Sequence, residues 1–130
     1  MKTGLIIAVR DEAAAILADA WYGWKESGDD IWESPRGVTL AVSGIGKAYA
    51  VHALGRVAGA ADRILIMGTS GGLGTQEIGA VFVTGVFHEH DMDVTGLGFP
   101  AGVTPFSTMK ESRIDGASES YLEMLRAAAV

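Results

Sequence analysis

An α/β fold, with a mixed central sheet flanked by helices, is predicted for this 130-residue chain by three observations. Short apolar runs that fit buried strands alternate with stretches that fit helices. Three of those runs end in a polar or glycine-rich turn. One further pair of runs flanks a Pro-Arg-Gly signal, so an antiparallel hairpin joins the parallel elements. The length corresponds to one domain, residues 1–130. A chain of this size removes roughly two-thirds of its unfolded surface from water, enough for a true core.

Residues 4–9 read GLIIAV, a strand buried on both faces. Arg10 or Asp11 marks the turn, and residues 12–21 fit a helix with Ile16 and Leu17 inward. Ser27-Gly28-Asp29-Asp30 is a turn signal. Residues 31–34 and 38–42 then flank Pro35-Arg36-Gly37 as a hairpin. A glycine-rich loop at 43–46 leads into a helix at 47–58, and residues 62–67 form the next strand. Residues 80–87 alternate in part and are read as a further strand. Residues 88–103 read as an ordered loop, and Lys110, Glu111, Arg113 and Asp115 as a solvated one. Residues 118–129 fit a helix, with Ser118 as N-cap, acidic residues at its start, and Tyr121, Leu122 and Leu125 as an apolar stripe.

Composition narrows the function classes. The net charge of −6, with no basic patch, disfavours nucleic acid as a partner. The absence of cysteine excludes a disulfide scaffold and thiolate metal sites, and agrees with a cytoplasmic location. The apolar run before Arg10, Asp11 and Glu12 is too short for a secretory signal or a membrane span, so no membrane association is expected. The 18 glycines gather at strand ends rather than in a repeat.

Several clusters carry potential chemistry, each beside a plainer reading. Glu12 follows the first strand in the first turn of a helix. A carboxylate there can act on water, although acidic residues favour helix N-termini in any case. Gly44-Ile45-Gly46-Lys47 resembles the start of a dinucleotide fingerprint, but Tyr49 stands where the third glycine belongs; a tight strand-to-helix turn explains it as well. The loop Gly68-Thr69-Ser70-Gly71-Gly72 is not a Walker loop. It offers backbone N–H groups and two hydroxyls to a small polar ligand, or it is a turn imposed by crowding. His88, Glu89, His90, Asp91 and Asp93 invite a metal reading but lack a well-spaced third ligand, so no metal is expected. Trp21, Tyr22 and Trp24 either stack on a ligand or cover a core edge.

Four of these segments, in order, give the chain a resemblance to the N-terminal half of the 5′-methylthioadenosine/S-adenosylhomocysteine nucleosidases, within the nucleoside phosphorylase superfamily. They are residues 1–8 with Glu12; Ser43-Gly44-Ile45-Gly46-Lys47, similar to an SGIGK turn; Gly68-Thr69-Ser70-Gly71-Gly72-Leu73, similar to a GSAGGL loop; and His90-Asp91-Met92-Asp93-Val94-Thr95 with Gly98-Phe99, similar to an HDADVT segment. The resemblance implies a truncated nucleoside phosphorylase-like fold, a purine nucleoside as ligand, and hydrolysis of its N-glycosidic bond without cofactor or metal. It makes Glu12 the residue that activates water, places Thr69, Ser70 and Gly71 at the ribose and water, and places Val9 and Ile45 in the substrate pocket. It also implies a homodimer built near the HDADVT-like segment, with Leu97 where the family often has an aromatic.

Phosphorylases of the superfamily often carry an arginine shortly before the glycine-rich loop; here Ile66 and Met67 stand there, which favours water over phosphate. The family's leaving-group acid lies in a second half that nothing after Ser118 matches. General acid assistance is worth about two to four orders of magnitude. The expectation is therefore an incomplete catalyst, completed by a C-terminal half, or else a nucleoside-binding or dimerising module without turnover. Futalosine-type hydrolysis and phosphorolysis are the remaining alternatives.

Overall fold

The strand Thr3–Ile7 (β1) lies inside a five-stranded sheet, with an apolar parallel strand on each side. The computed structural model describes residues 1–106 and 113–128, with the backbone alone for 113–115. The chain divides into two units, Met1–Gly72 and Leu73–Val130.

In the first unit the strands are β1, β2 (Lys25–Gly28), β3 (Ile31–Ser34), β4 (Val38–Val42) and β5 (Arg63–Met67), in spatial order β2-β3-β4-β1-β5. β1 runs parallel to β4 and β5, with Leu5 opposite both Leu40 and Leu65. β3 is antiparallel to β4, and β2 to β3, so the sheet is mixed and the expected hairpin is present.

Alternate residues of a strand face opposite sides, and this divides the core in two. Leu5, Ile7 and Leu40 pack with Ala13 of helix α1 (Arg10–Ala18) on one face, joined by Ile16, Leu17 and Trp24. Ile6, Ile31 and Ala41 pack with Ala53 and Val57 of helix α2 (Lys47–Val57) on the other, joined by Ile64. The aromatic cluster closes an edge of the first face. Trp24 stacks on Tyr22 at 4.9 Å between ring centres and donates its indole N–H to the carbonyl of Ile16 at 2.8 Å.

Four expectations change. The first helix ends at Ala18 and a separate 3₁₀ turn covers Ala20–Tyr22, because Asp19 accepts from the backbone N–H of Trp21 and redirects the chain. Ser27 and Gly28 belong to β2, and the turn falls on Asp29-Asp30, where Asp30 takes a positive φ of 56°. All four β2 residues are exposed, and the strand is held by its pairing with β3, Lys25 standing opposite Glu33. Of residues 80–87 only Val86 and Phe87 are in a strand; Val81 and Phe82 stay exposed and lie outside any strand. Arg113 and Asp115 lie in a strand rather than a loop; Lys110 and Glu111 fall outside the described residues.

The second unit contains β6 (Val86–His88) paired antiparallel with β7 (Arg113–Asp115), and helix α3 (Glu119–Ala128). Leu122 is the buried residue of α3 and lies over Gly85. A Cβ at Gly85 would come within 2.7 Å of Leu122 Cδ1 and 3.3 Å of its Cγ. Gly85→Ala is therefore expected to cost about 1–3 kcal/mol through overpacking, read as a lower midpoint in urea. An unchanged midpoint would show that α3 is free to shift. Among the described residues no helix is long and apolar enough to cross a membrane.

Candidate active site

Three parallel strands bring their carboxyl ends to one edge of the first unit's sheet. Beyond β1 the chain passes Ala8 and Val9 and enters α1, so Glu12 stands in the helix's first turn. Beyond β4 the ladder continues one step: the amides of Ser43 and Gly44 donate to the carbonyls of Ile7 and Ala8 at 2.8 and 2.9 Å. Gly44 and Gly46 then take φ of 85° and 117°, values that suit glycine, and release the chain into α2. Tyr49 packs its ring against Gly44, with atoms 3.6 Å from where a Cβ would stand, which fits the tight-turn reading of this motif. Beyond β5 come Gly68 and Thr69.

Glu12 reaches across to the tip of β5. Its Oε1 accepts from the backbone N–H of Thr69 at 2.7 Å and from the Thr69 hydroxyl at 2.6 Å. The other oxygen, Oε2, is enclosed and has no hydrogen-bond partner among the described residues. Ile7, Glu12, Met67, Gly68 and Thr69 line a cavity of about 200 Å³. Small-molecule sites commonly reach about 300–1,000 Å³, so this space suits one ring and a water rather than a whole nucleoside.

The electrostatics follow from these bonds. The Thr69 hydroxyl, then the Thr69 amide, hold the Glu12 carboxyl below the usual glutamate range; partial desolvation opposes them, and the nearby amides of Val9 and Ala8 add a smaller pull in the same direction. The carboxylate is thus ionised at neutral pH. A threonine hydroxyl has a single proton, and here Glu12 takes it. The remaining lone pairs of Thr69 Oγ1 and those of Glu12 Oε2 can only accept, so any group that bonds to these atoms must be a donor, such as water or a hydroxyl.

The lowered carboxyl also sets a pH dependence. Its bonds to Thr69 favour the folded state fully above the ordinary glutamate pKa, and that contribution is lost as the pH falls through the lowered value. Between about pH 6 and about pH 3, wild type is expected to lose Tm more steeply than Glu12→Gln, which has no proton to gain there. Parallel Tm profiles would remove Glu12 from the acid response.

Of the residues singled out in the sequence, Glu12 and Thr69 meet. Val9, Ile45, Ser70 and Gly71 stand beyond the same strand ends but outside the cavity lining: Val9 is the N-cap residue of α1, and Ile45, Ser70 and Gly71 are exposed. Gly68, part of the glycine-rich loop named in the sequence, also lines the cavity, as do Ile7 and Met67, which were not named as site residues. The signal for two of them is the register of parallel strands, which sets Ile7 directly opposite Met67.

In the second unit, Asp93 accepts from the amide and hydroxyl of Thr95 at 3.0 and 2.8 Å and closes the turn before the 3₁₀ segment Thr95–Leu97. Those two bonds, the amide's first, lower its carboxyl pKa. His88 ends β6, and His90 lies 3.8 Å from Asp91 with both side chains exposed. Among the described residues no three His, Asp or Glu side chains gather as metal ligands. A scan against models of known protein families and a search of the curated proteins both returned no match.

Proposed function

We propose that this chain carries the water-and-ribose half of a purine nucleosidase, acting on the N-glycosidic bond of 5′-methylthioadenosine- or S-adenosylhomocysteine-like nucleosides, in a nucleoside phosphorylase-like fold. The observation that supports this reading best is the Glu12–Thr69 pair, joined at 2.6 Å across two strand tips, with Oε2 enclosed and without a hydrogen-bond partner among the described residues. Cleavage of an N-glycosidic bond passes through an oxocarbenium-like state. An ionised carboxylate beside the ribose stabilises that developing positive charge and orients water toward the anomeric carbon. A carboxyl of lowered pKa is a weak base, so orientation and charge stabilisation, rather than early proton abstraction, are its contribution.

Water is favoured over phosphate because, among the described residues, no cation lines the cavity, and Glu12 repels a dianion. Protonation of the purine falls to a group outside the cavity lining, since Glu12 is the one titratable residue among its five. A C-terminal half or a second copy of the chain is the proposed source, with exposed Leu97 in the dimer-forming segment. The test is adenine release from 5′-methylthioadenosine and S-adenosylhomocysteine, with futalosine and added phosphate as comparisons. Adenine formed without phosphate supports the reading; phosphate-dependent release of a ribose 1-phosphate overturns it in favour of a phosphorylase.

The single carboxylate of the cavity also favours a second reading, in which the chain binds a nucleoside without cleaving it. Calorimetric binding of 5′-methylthioadenosine with no turnover, even after addition of a complementing C-terminal half, would establish that reading.

A further inference from the structure

We infer that Gly68 is a positioning residue: its missing side chain makes the space in which the Glu12 carboxylate is seated against Thr69. The three heavy atoms nearest to a Cβ built at Gly68 all belong to the Glu12 carboxyl group, with Oε2 at 3.2 Å, Oε1 at 3.3 Å and Cδ at 3.5 Å. Two of those distances are tighter than ordinary van der Waals contact, so any side chain at 68 would displace the carboxylate by a few tenths of an ångström. Glu12 has little slack to absorb this, because Oε1 is fixed by two short bonds from Thr69, at 2.6 and 2.7 Å. Other reasons for a glycine are missing. Gly68 is not among the positive-φ residues, so its backbone conformation is open to alanine. It is exposed, and the nearest contacts of the built Cβ come from no other residue. At position 68 the glycine thus serves the close approach of a functional side chain.

The consequence for catalysis rests on the nucleosidase reading, whereas the seating itself does not, and the experiment separates the two. The Glu12 carboxyl is titrated by carbon-detected NMR in wild type, Gly68→Ala and Thr69→Ser, and Tm is measured for Gly68→Ala with Glu12 and in the Glu12→Ala background. Wild type and Thr69→Ser, which keeps the amide and hydroxyl, are expected to titrate below the ordinary glutamate range. Gly68→Ala is expected to move the titration up into that range, with a Tm loss that vanishes once Glu12 is alanine. Where turnover is measurable, kcat should fall about 10²-fold with KM nearly unchanged, the size of effect that a small misplacement of a reacting group produces. An unmoved titration in Gly68→Ala overturns the inference. So does an equal Tm loss in both backgrounds, because the glycine would then serve the backbone. Should wild type release no adenine even with a complementing C-terminal half, while the titration shifts as stated, the nucleosidase reading falls and the seating role of Gly68 stands.

Discussion

Glu12→Gln is expected to lower adenine release from 5′-methylthioadenosine by about two to four orders of magnitude while leaving the fold at neutral pH nearly intact. Glutamine keeps one oxygen, which can accept both bonds that Thr69 donates to Oε1. The group at the Oε2 position becomes an amide N–H₂, which donates where the carboxylate accepted. A water held there would turn its lone pair away from the sugar, and the charge that stabilises the oxocarbenium-like state would be gone. Steady-state rates beside a thermal melt separate the two effects. Turnover within about tenfold of wild type would remove Glu12 from the reaction.

Leu40→Ala is expected to have the largest effect on stability. Leu40 is fully buried in β4, opposite Leu5, in the cluster that α1 covers. Removing its side chain forfeits transfer energy and leaves a cavity between β4, β1 and α1, together costing about 2–5 kcal/mol. A domain of this size is stable by only about 5–15 kcal/mol, so Tm should fall by roughly ten degrees or more. Met124→Ala, on the exposed side of α3, is the control and should stay within about 0.5 kcal/mol. A Leu40→Ala melt matching that control would mean the two-faced core does not hold the sheet together.

The parallel strands were legible because β1, β4 and β5 are short apolar runs; β1 and β4, inside the sheet, put apolar residues on both faces, whereas β5 closes one edge with Ile66 and Met67 exposed. β2 was not legible. Its Lys-Glu-Ser-Gly carries no apolar alternation, and only the neighbouring β3 makes it a strand. Residues 80–87 failed in the opposite way: the alternation of Val81 and Val83 is real, but a strand also needs a ladder partner, which local sequence does not reveal. At the site, Glu12 and Thr69 were legible as residues just beyond strand ends. Their bond was not, because it depends on β5 lying beside β1. The lining by Ile7 and Met67 has the same origin: register, not residue type, sets them opposite each other.

The Glu12–Thr69 bond spans 57 positions along the chain, and that separation bears on how the protein acquires its site. Contacts between distant residues form late, after loop closure and docking of the intervening elements. A nascent chain that has paired β1 with β4 but not yet added β5 holds a bare carboxylate and no cavity. Ligand binding therefore reports completion of the first unit's sheet: refolding followed by a bound nucleoside should lag refolding followed by helix content.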